Sequence, residues 1–392
     1  MAEVEYDVVV LGAGPVGLAV AAALGREGLS VALLERSALG AYDGPRGTDD
    51  WDQRVYAVSP GSASFLRGLG AWQRLPSERL AAVEMMDVHG DGGGTIVFSA
   101  YDLGERALAW IVENRELCAT LVEAVRTCAP VAVLAPCEPT AISWQADSAL
   151  VALADGRRVS ARLIVGADGV RSWVRREAGI AREPRAYGQS AVVANFIAER
   201  SHRGRAFQWF IDGRGVLAWL PLPGRRISMV WSAPDPLARE LLAQDATALA
   251  QQVAASGGQT LGALTLITPP AAFPLSFLKL DSQVAARLAL VGDAAHVVHP
   301  LAGQGVNLGF GDAAMLAAVL KARGPVSDAG ASILLERYAR KRALPVLSMQ
   351  IVTDGLVRLF AAPPLRVLRN QGMNLVAAAA PIRRLLAQPA LR

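Results

Sequence analysis

Two hydrophobic periodicities alternate along this chain. Asp7 to Leu11 carries the apolar run of a buried strand, Gly12 to Gly17 reads as a turn, Leu18 to Glu27 as an alanine-rich helix, and Val31 to Leu34 as a second strand ending at Glu35. Together they form one βαβ unit. Between about 186 and 271 the pattern changes. GRAFQWFID, GVLAWLPL and RRISMVWSA are aromatic and β-branched runs separated by turn residues such as Pro223, Gly224 and Arg225, which predicts an antiparallel sheet. Strand and helix signals of the first kind return at Arg287 to Val291 and in a helix from about Val306 to Lys321, so the sheet interrupts a discontinuous domain. From about Ser332 the pattern is helical, with Pro345, Pro363, Pro364 and Pro381 as expected breaks.

At 392 residues the chain is longer than a typical single core, which predicts two closely packed domains. Apolar residues make up 52%, yet no uninterrupted apolar run approaches the ~18 residues of a spanning helix, so an integral membrane protein is not expected. MAEVEYDVVV leads acidic residues straight into a strand, without the regions of a secretory signal, and a cytoplasmic location is the expectation. Cys118, Cys128 and Cys137 are an odd count without CxxC spacing, which predicts neither a disulfide framework nor a metal site. A net charge of +4 gives no case for a nucleic-acid partner. The basic excess lies at the C-terminus: Arg358, Arg366, Arg369, Arg383, Arg384 and Arg392 are interleaved with leucine, valine and phenylalanine, with no acidic residue from Gly355 onward. Such an end suits either an anionic membrane surface or the solvated face of a helical layer.

Three separated segments carry the chemistry. In VVVLGAGPVGLAV, Gly12 permits a tight turn, Gly14 lets backbone approach a pyrophosphate, and Gly17 allows close helix–strand packing at a helix N-terminus. Glu35 ends the next strand, where a carboxylate accepts from ribose hydroxyls, and Arg36 beside it suits the adenosine side. GADGVRSWVRREAGI places Asp168 and Gly169 after an apolar strand, followed by Arg171, Arg175 and Arg176 on an expected helix with a solvated basic face. In VGDAAHVVHPLAGQGVNLGFGDA, Asp293 again ends a strand, and Gly303 and Gly305 leave bare backbone before a helix whose first turn holds Asn307 as a further donor. A helix N-terminus there would favour the anionic reduced flavin. His296 and His299 could shuttle protons, but with no visible partner they read better as packing or loop-capping residues, and no catalytic acid or base is assigned. Trp209, Trp219 and Trp231 alternate on the expected sheet and suit an aromatic pocket and a plain core equally.

These three segments resemble those of FAD-dependent aromatic hydroxylases of the p-hydroxybenzoate hydroxylase type. More narrowly, DQRVYAVSPGS, VENRELCATL, ISMVWS and HPLAGQGVNLGFGDA are similar to the ubiquinone-biosynthesis hydroxylases grouped as UbiH/UbiF/VisC, over residues 5 to about 370. The resemblance implies non-covalent FAD, reduced by NAD(P)H or a protein reductase. It assigns Gly12, Gly14, Gly17, Glu35 and Arg36 to the ADP half and Arg54 and Arg115 to cofactor contacts. Asp168 and Gly169 then fall to the pyrophosphate region, Asp293 to the ribityl and phosphate portion, and Pro300, Gly303, Gly305 and Asn307 to the isoalloxazine. It implies an α/β fold in which a Rossmann-like FAD-binding domain (1–75, 104–185 and 272–345) holds an inserted antiparallel-sheet substrate domain (76–103 and 186–271), before a C-terminal helical segment (346–392). The implied reaction is ring hydroxylation of a polyprenylated phenol or quinol through a flavin C4a-hydroperoxide, with O₂ as co-substrate. Implied partners are other quinone-biosynthesis proteins and a membrane surface, placing the protein in the cytoplasm or peripherally at the inner face of the cytoplasmic membrane. The chain departs from many relatives in ending soon after Gln388 without a glycine-terminated tail. A soluble hydroxylase of small aromatics and a catalytically silent flavoprotein scaffold are the alternatives.

Overall fold

The computed structural model describes residues 4–39, 47, 50–180, 182–324 and 328–391. Its helices in chain order are α1 (Pro15–Arg26), α2 (Pro60–Gly68), α3 (Ala100–Leu103), α4 (Asn114–Arg126), α5 (Trp173–Glu177), α6 (Asp235–Ala243), α7 (Ala246–Ser256), α8 (Gly305–Lys321), α9 (Ser332–Ala361), α10 (Arg366–Ala378) and α11 (Ala380–Leu391). Strand Val4–Leu11 lies between Val31–Leu34 and Arg158–Gly166, parallel to both, and Val131–Leu134 and Leu288–Leu290 extend the parallel set outward. Val8, Val9 and Val10 are fully buried, because helices α1, α4 and α8 cover one face and the hairpin Pro139–Leu153 with α5 covers the other. Helix α1 starts at Pro15, earlier than the expected Leu18, since proline at the first helical position forfeits no hydrogen bond.

A second sheet runs in the order His296–Val297, Ala271–Lys279, Arg185–Ala198, Arg226–Pro234, Gly215–Pro221, Arg205–Ile211, Met85–His89 and Thr95–Ser99. Its neighbours are antiparallel except Arg205–Ile211 with Met85–His89. It draws on segments 76–103 and 186–271, and also on Ala271–Lys279, which pairs with Arg185–Ala198 across a bulge, so the sheet extends past residue 271. One face, carrying Val192, Phe196, Leu217, Trp219 and Trp231, packs beneath α6 and α7. Trp219 and Trp231 are therefore core: a Cβ added at Gly257 would lie 2.3 Å from the Trp219 ring. Trp209 packs against the same cluster, stacked on Phe207 and His89.

The opposite face turns Phe210 and Val216 toward Leu301, which belongs to the third glycine segment, and toward α9 and α10. Helix α9 continues through Pro345, an expected break. The carbonyl that loses its partner belongs to exposed Lys341, where water can serve, and both flanks are anchored. Arg342 Nε donates to Asp312 Oδ1 at 2.6 Å and Gln350 Nε2 to the Leu278 carbonyl at 2.8 Å. Helix α10 is latched to the turn between Met85–His89 and Thr95–Ser99. Asn370 Oδ1 accepts from the N–H groups of Gly92 (3.0 Å) and Gly94 (2.9 Å), an approach that side chains at Gly90, Gly92 and Gly94 would block. Beside it Arg369 forms a buried ion pair with Asp91, so this arginine is not the surface cation that the basic C-terminal pattern suggested.

Candidate active site

The first glycine segment closes onto the strand ends as a cradle. Gly12 has φ +104°, and a Cβ there would sit 2.5 Å from the Ala167 carbonyl oxygen. A Cβ at Gly17 would lie 1.9 Å from the Gly12 oxygen, whereas one at Gly14 would meet nothing within 4 Å. Gly12 and Gly17 thus fit backbone to backbone while Gly14 faces open space. No side chain caps α1, which leaves its N-terminal N–H groups for an anion. Glu35 accepts from Ala13 N–H through Oε2 at 2.7 Å and from Ser37 N–H through Oε1 at 3.1 Å, which fixes the carboxylate at the rim. The adjoining cleft is lined by Gly12, Glu35, Arg36, Asp168, Arg171 and Arg176 among others. Arg171 and Arg176 therefore border a cleft and not only bulk solvent.

Asp168 uses Oδ2 to accept from the Trp173 and Val174 N–H groups at 2.7 and 3.0 Å, and its buried Oδ1 has no protein donor. An orphaned acceptor of this kind beside a phosphate cradle fits a ligand hydroxyl or an ordered water. Arg175, expected on a solvated face, is fully buried: it donates to the Val170 and Ala294 carbonyls at 2.9 Å each. It thereby ties the Asp168 loop to the Asp293 loop. Asp293 is solvent-accessible yet ringed by protein, and that desolvation raises its pKa against the lowering influence of His296 and Arg54. Its carboxylate makes no hydrogen bond to another described residue.

Behind Asp293, buried Asp312 holds the loop from α8. Its Oδ2 accepts from Gly292 N–H at 2.9 Å and pairs with His296 Nε2 at 2.7 Å, while Oδ1 receives Arg342. Burial alone would push this carboxyl up, but His296 and Arg342 outweigh it and hold it below the usual range. His296 has a partner after all, and its role is to clamp the loop. His299 is also buried, with Nε2 at 3.0 Å from Gln189 Oε1 and no partner on Nδ1; burial lowers its pKa to about 4, so the ring is neutral at pH 7. Sequence reasoning missed Asp312 and Arg175. The available signal was one aspartate within the otherwise apolar and small VNLGFGDAAMLAAVL, and an arginine three positions after the serine that caps α5.

Helix α8 has no side-chain cap, and a Cβ at Gly305 would meet nothing within 4 Å, so its positive end faces open space. Gly303 (φ +64°) packs on Ala57, where a Cβ would come within 2.9 Å of the Ala57 Cβ. Pro300 precedes the short turn Leu301–Gly303. Asn307 departs from expectation: its side-chain amide already donates to the Ala57 carbonyl (2.8 Å) and accepts from Ser59 N–H (3.0 Å). Only its backbone remains for a ligand, and the side chain fastens α8 to the Val55–Val58 strand. Arg54 is exposed over the Tyr56 and Phe273 rings and acts on Asp293. Arg115 lies farther back, its terminal nitrogens engaged by Asp50 and its backbone N–H by Asp52. Beside it Glu113 is buried, and desolvation raises its pKa despite Asp52 N–H, Arg79 and Arg115.

A glycine cradle, two uncapped helix ends and two aspartates without protein donors on their outer oxygens suit a dinucleotide with ribose and ribityl hydroxyls. The family model described as FAD binding domain matches residues 5–351. The chain belongs to that FAD-binding family. Among curated relatives, ubiquinone hydroxylase UbiL of Rhodospirillum rubrum is 36% identical over 98% of this chain and 89% of its own. The 3-demethoxyubiquinol 3-hydroxylase of Escherichia coli is 33% identical over 94% and 93% respectively. Among solved structures, a variant of P. aeruginosa PqsL superposes with a TM-score of 0.78 at 26% identity, covering 96% of this chain and 100% of its own. The protein is thus an FAD-dependent monooxygenase with a Rossmann-like cofactor domain. When bound, FAD supplies the redox chemistry and the activation of O₂. The chain's own residues contribute binding, orientation and exclusion of water.

Proposed function

We propose that this flavoprotein hydroxylates the aromatic ring of a polyprenylated phenol or quinol intermediate of ubiquinone biosynthesis, with NAD(P)H or a protein reductase as electron donor. The observation that carries the substrate class is the apolar packing behind the third glycine segment. Leu301 is packed against Phe210, Val216, Phe360 and Met373, so this segment is backed by hydrocarbon and by no charged group of that cluster, which accords better with a ring bearing a hydrocarbon tail than with a small carboxylic acid. The names of the curated relatives point the same way. In this reading Gly12, Gly14, Gly17, Glu35 and Arg36 hold the ADP half, Asp168, Gly169 and Asp293 the pyrophosphate and ribityl groups, and Pro300, Gly303, Gly305 and backbone Asn307 the isoalloxazine. Arg54 meets the cofactor from the cleft, and Arg115 supports it through the Asp50–Asp52 loop. Segments 76–103 and 186–271 act as the substrate domain, and the enzyme works with other quinone-biosynthesis proteins at the inner face of the cytoplasmic membrane.

The test is isotopic. With its reductant and a prenylated phenolic precursor, the enzyme is expected to place one atom of ¹⁸O₂ in a new ring hydroxyl and to couple reductant use to product. A ring that fills the site excludes the water that diverts the reaction to peroxide. Better-coupled hydroxylation of short phenolic acids, with prenylated compounds ignored, would refute the quinone assignment. Oxygen derived from water would refute the chemistry.

A further inference from the structure

Strand Arg205–Ile211 crosses the second sheet with a neighbour on each side, and its side chains alternate between the two faces. Phe207 and Trp209 join the core beneath α6 and α7, so Ala206, Gln208 and Phe210 turn the other way. Ala206 packs with Ala57 and Ile111 in one buried cluster, and Phe210 packs with Leu301 in another. The third glycine segment bridges the two, because Gly303 rests on Ala57 while Leu301 reaches Phe210. Gln208 stands between the two clusters, under that bridge.

Its amide has no partner in the fold. The cross-strand neighbours of Gln208 are Ala218 and Val88, and Ala206 and Phe210 flank it along the strand, none with a side chain that bonds an amide. The residue is 7% exposed, and its side chain makes no hydrogen bond to another described residue. A buried amide left unpaired is costly, so a ligand or a water must serve it. The sheet opens at this point. On the next two strands Ala218 and Val230 are partly exposed, whereas Leu217, Trp219, Met229 and Trp231, on the α6 and α7 side of the same strands, are fully buried. Asn195 and Ser228 share the open face, but at 0% exposure no ligand reaches them. An apolar opening with one amide in it suits a flat ring that carries one polar handle.

We propose that Gln208 orients the substrate ring by hydrogen-bonding its phenolic hydroxyl, and so selects which ring carbon meets the third glycine segment. The inference rests on the proposed function for the identity of the ring. An amide both donates and accepts, which matches a neutral hydroxyl, whereas a carboxylate is better met by a cation. Apolar contact alone leaves a flat ring free to turn in its own plane. One hydrogen bond at a fixed point removes that freedom, and its loss lets the ring settle in more than one register. Hydroxylation then spreads over more than one carbon, and more reductant is lost to peroxide.

The test uses the full-length FAD-loaded protein and two pairs of ligands, a phenol with a prenyl chain and a phenol with a short alkyl chain, each beside its analogue with hydrogen in place of the ring hydroxyl. Binding is read from the change in flavin absorbance. The parent should bind a phenol roughly tenfold more tightly than its analogue, and Gln208→Leu should bind the two alike. Gln208→Met, an unbranched replacement of similar size, should behave in the same way. Both variants should keep the parent's FAD affinity and melt no lower than the parent, because the change removes an amide that no protein group serves. During turnover they should release more peroxide per reductant consumed. A parent that does not distinguish phenol from analogue, or variants that distinguish them as well as the parent does, would overturn the inference. So would a lower melting temperature with discrimination intact, which marks a structural bond, or weaker FAD binding with discrimination intact, which marks a cofactor contact. If the short pair binds and the prenylated pair does not, the proposed substrate class fails, while the short pair still decides the role of Gln208.

Discussion

Replacing Asp312 by asparagine should loosen the cofactor site from behind while touching no ligand. The carboxylate serves Gly292 N–H, His296 and Arg342 with two oxygens at 2.6–2.9 Å, and it is fully buried. An amide keeps one acceptor and turns an NH₂ toward groups that themselves donate, while Arg342, 7% exposed, loses its counter-charge. Removing one member of a buried pair costs about 3–5 kcal/mol. Urea unfolding of the holoprotein should show a loss of that size, and flavin-fluorescence titration should show weaker FAD binding, because Gly292 and Asp293 lose their anchor. Converting both Asp312→Leu and Arg342→Met should recover much of the stability, since no charge is then left buried alone. The pH response follows from the sign of the shift. The Asp312 carboxyl sits below its unfolded value of about 3.9, so its contribution is complete above that value and is lost as pH falls through the folded pKa. The parent should lose stability in that window by a step absent from Asp312→Asn. A change under about 1 kcal/mol in Asp312→Asn would refute this role.

Asp293→Ala should weaken FAD binding by the ~1.5–3 kcal/mol of a charge-assisted hydrogen bond, measured by titration of the apoprotein; unchanged affinity would remove Asp293 from the site. Gly17→Ala should yield colourless protein, since its methyl would fall 1.9 Å from the Gly12 oxygen, and a yellow, parent-like product would contradict the cradle geometry. His299, depressed to about 4, binds fewer protons folded than unfolded between that value and about 6.5. Stability should therefore fall as pH drops from about 6.5 toward 4, and His299→Gln should flatten that slope in melting curves; an unaltered slope would place the titrating group elsewhere.

Parts of this site were legible from spacing alone because their partners are close in sequence or obey a local rule. Gly12, Gly14 and Gly17 belong to one turn, and Glu35 closes the next strand onto it. Asp168 and Asp293 each follow an apolar strand whose parallel neighbours force both loops to the same edge. Distance in the chain hid the rest. Asn307 looked free because its partners, Ala57 and Ser59, lie 250 and 248 residues away. Arg175 looked solvated because the Ala294 carbonyl that buries it is 119 residues on. Strand alternation shows that Trp219 and Trp231 share a face with Leu217, but only the placement of α6 and α7 decides that this face is core and not cleft. Pro345 read as a break because propensity cannot see Arg342 and Gln350 pinning the helix on either side of it.

The order of strands in the parallel sheet also governs how the protein emerges from the ribosome. Strand Arg158–Gly166 gains its outer neighbour only when Leu288–Leu290 has been made, and the Asn307 clamp onto Ala57 forms later still. At roughly 5–20 residues per second, the strand Arg158–Gly166 waits for roughly 6–25 seconds with part of its apolar edge bare before Leu288–Leu290 appears. Nascent chains stalled short of Leu288 should consequently be captured by holdase chaperones and remain protease-sensitive whether or not FAD is supplied, with protection arriving abruptly once the chain has cleared Asn307.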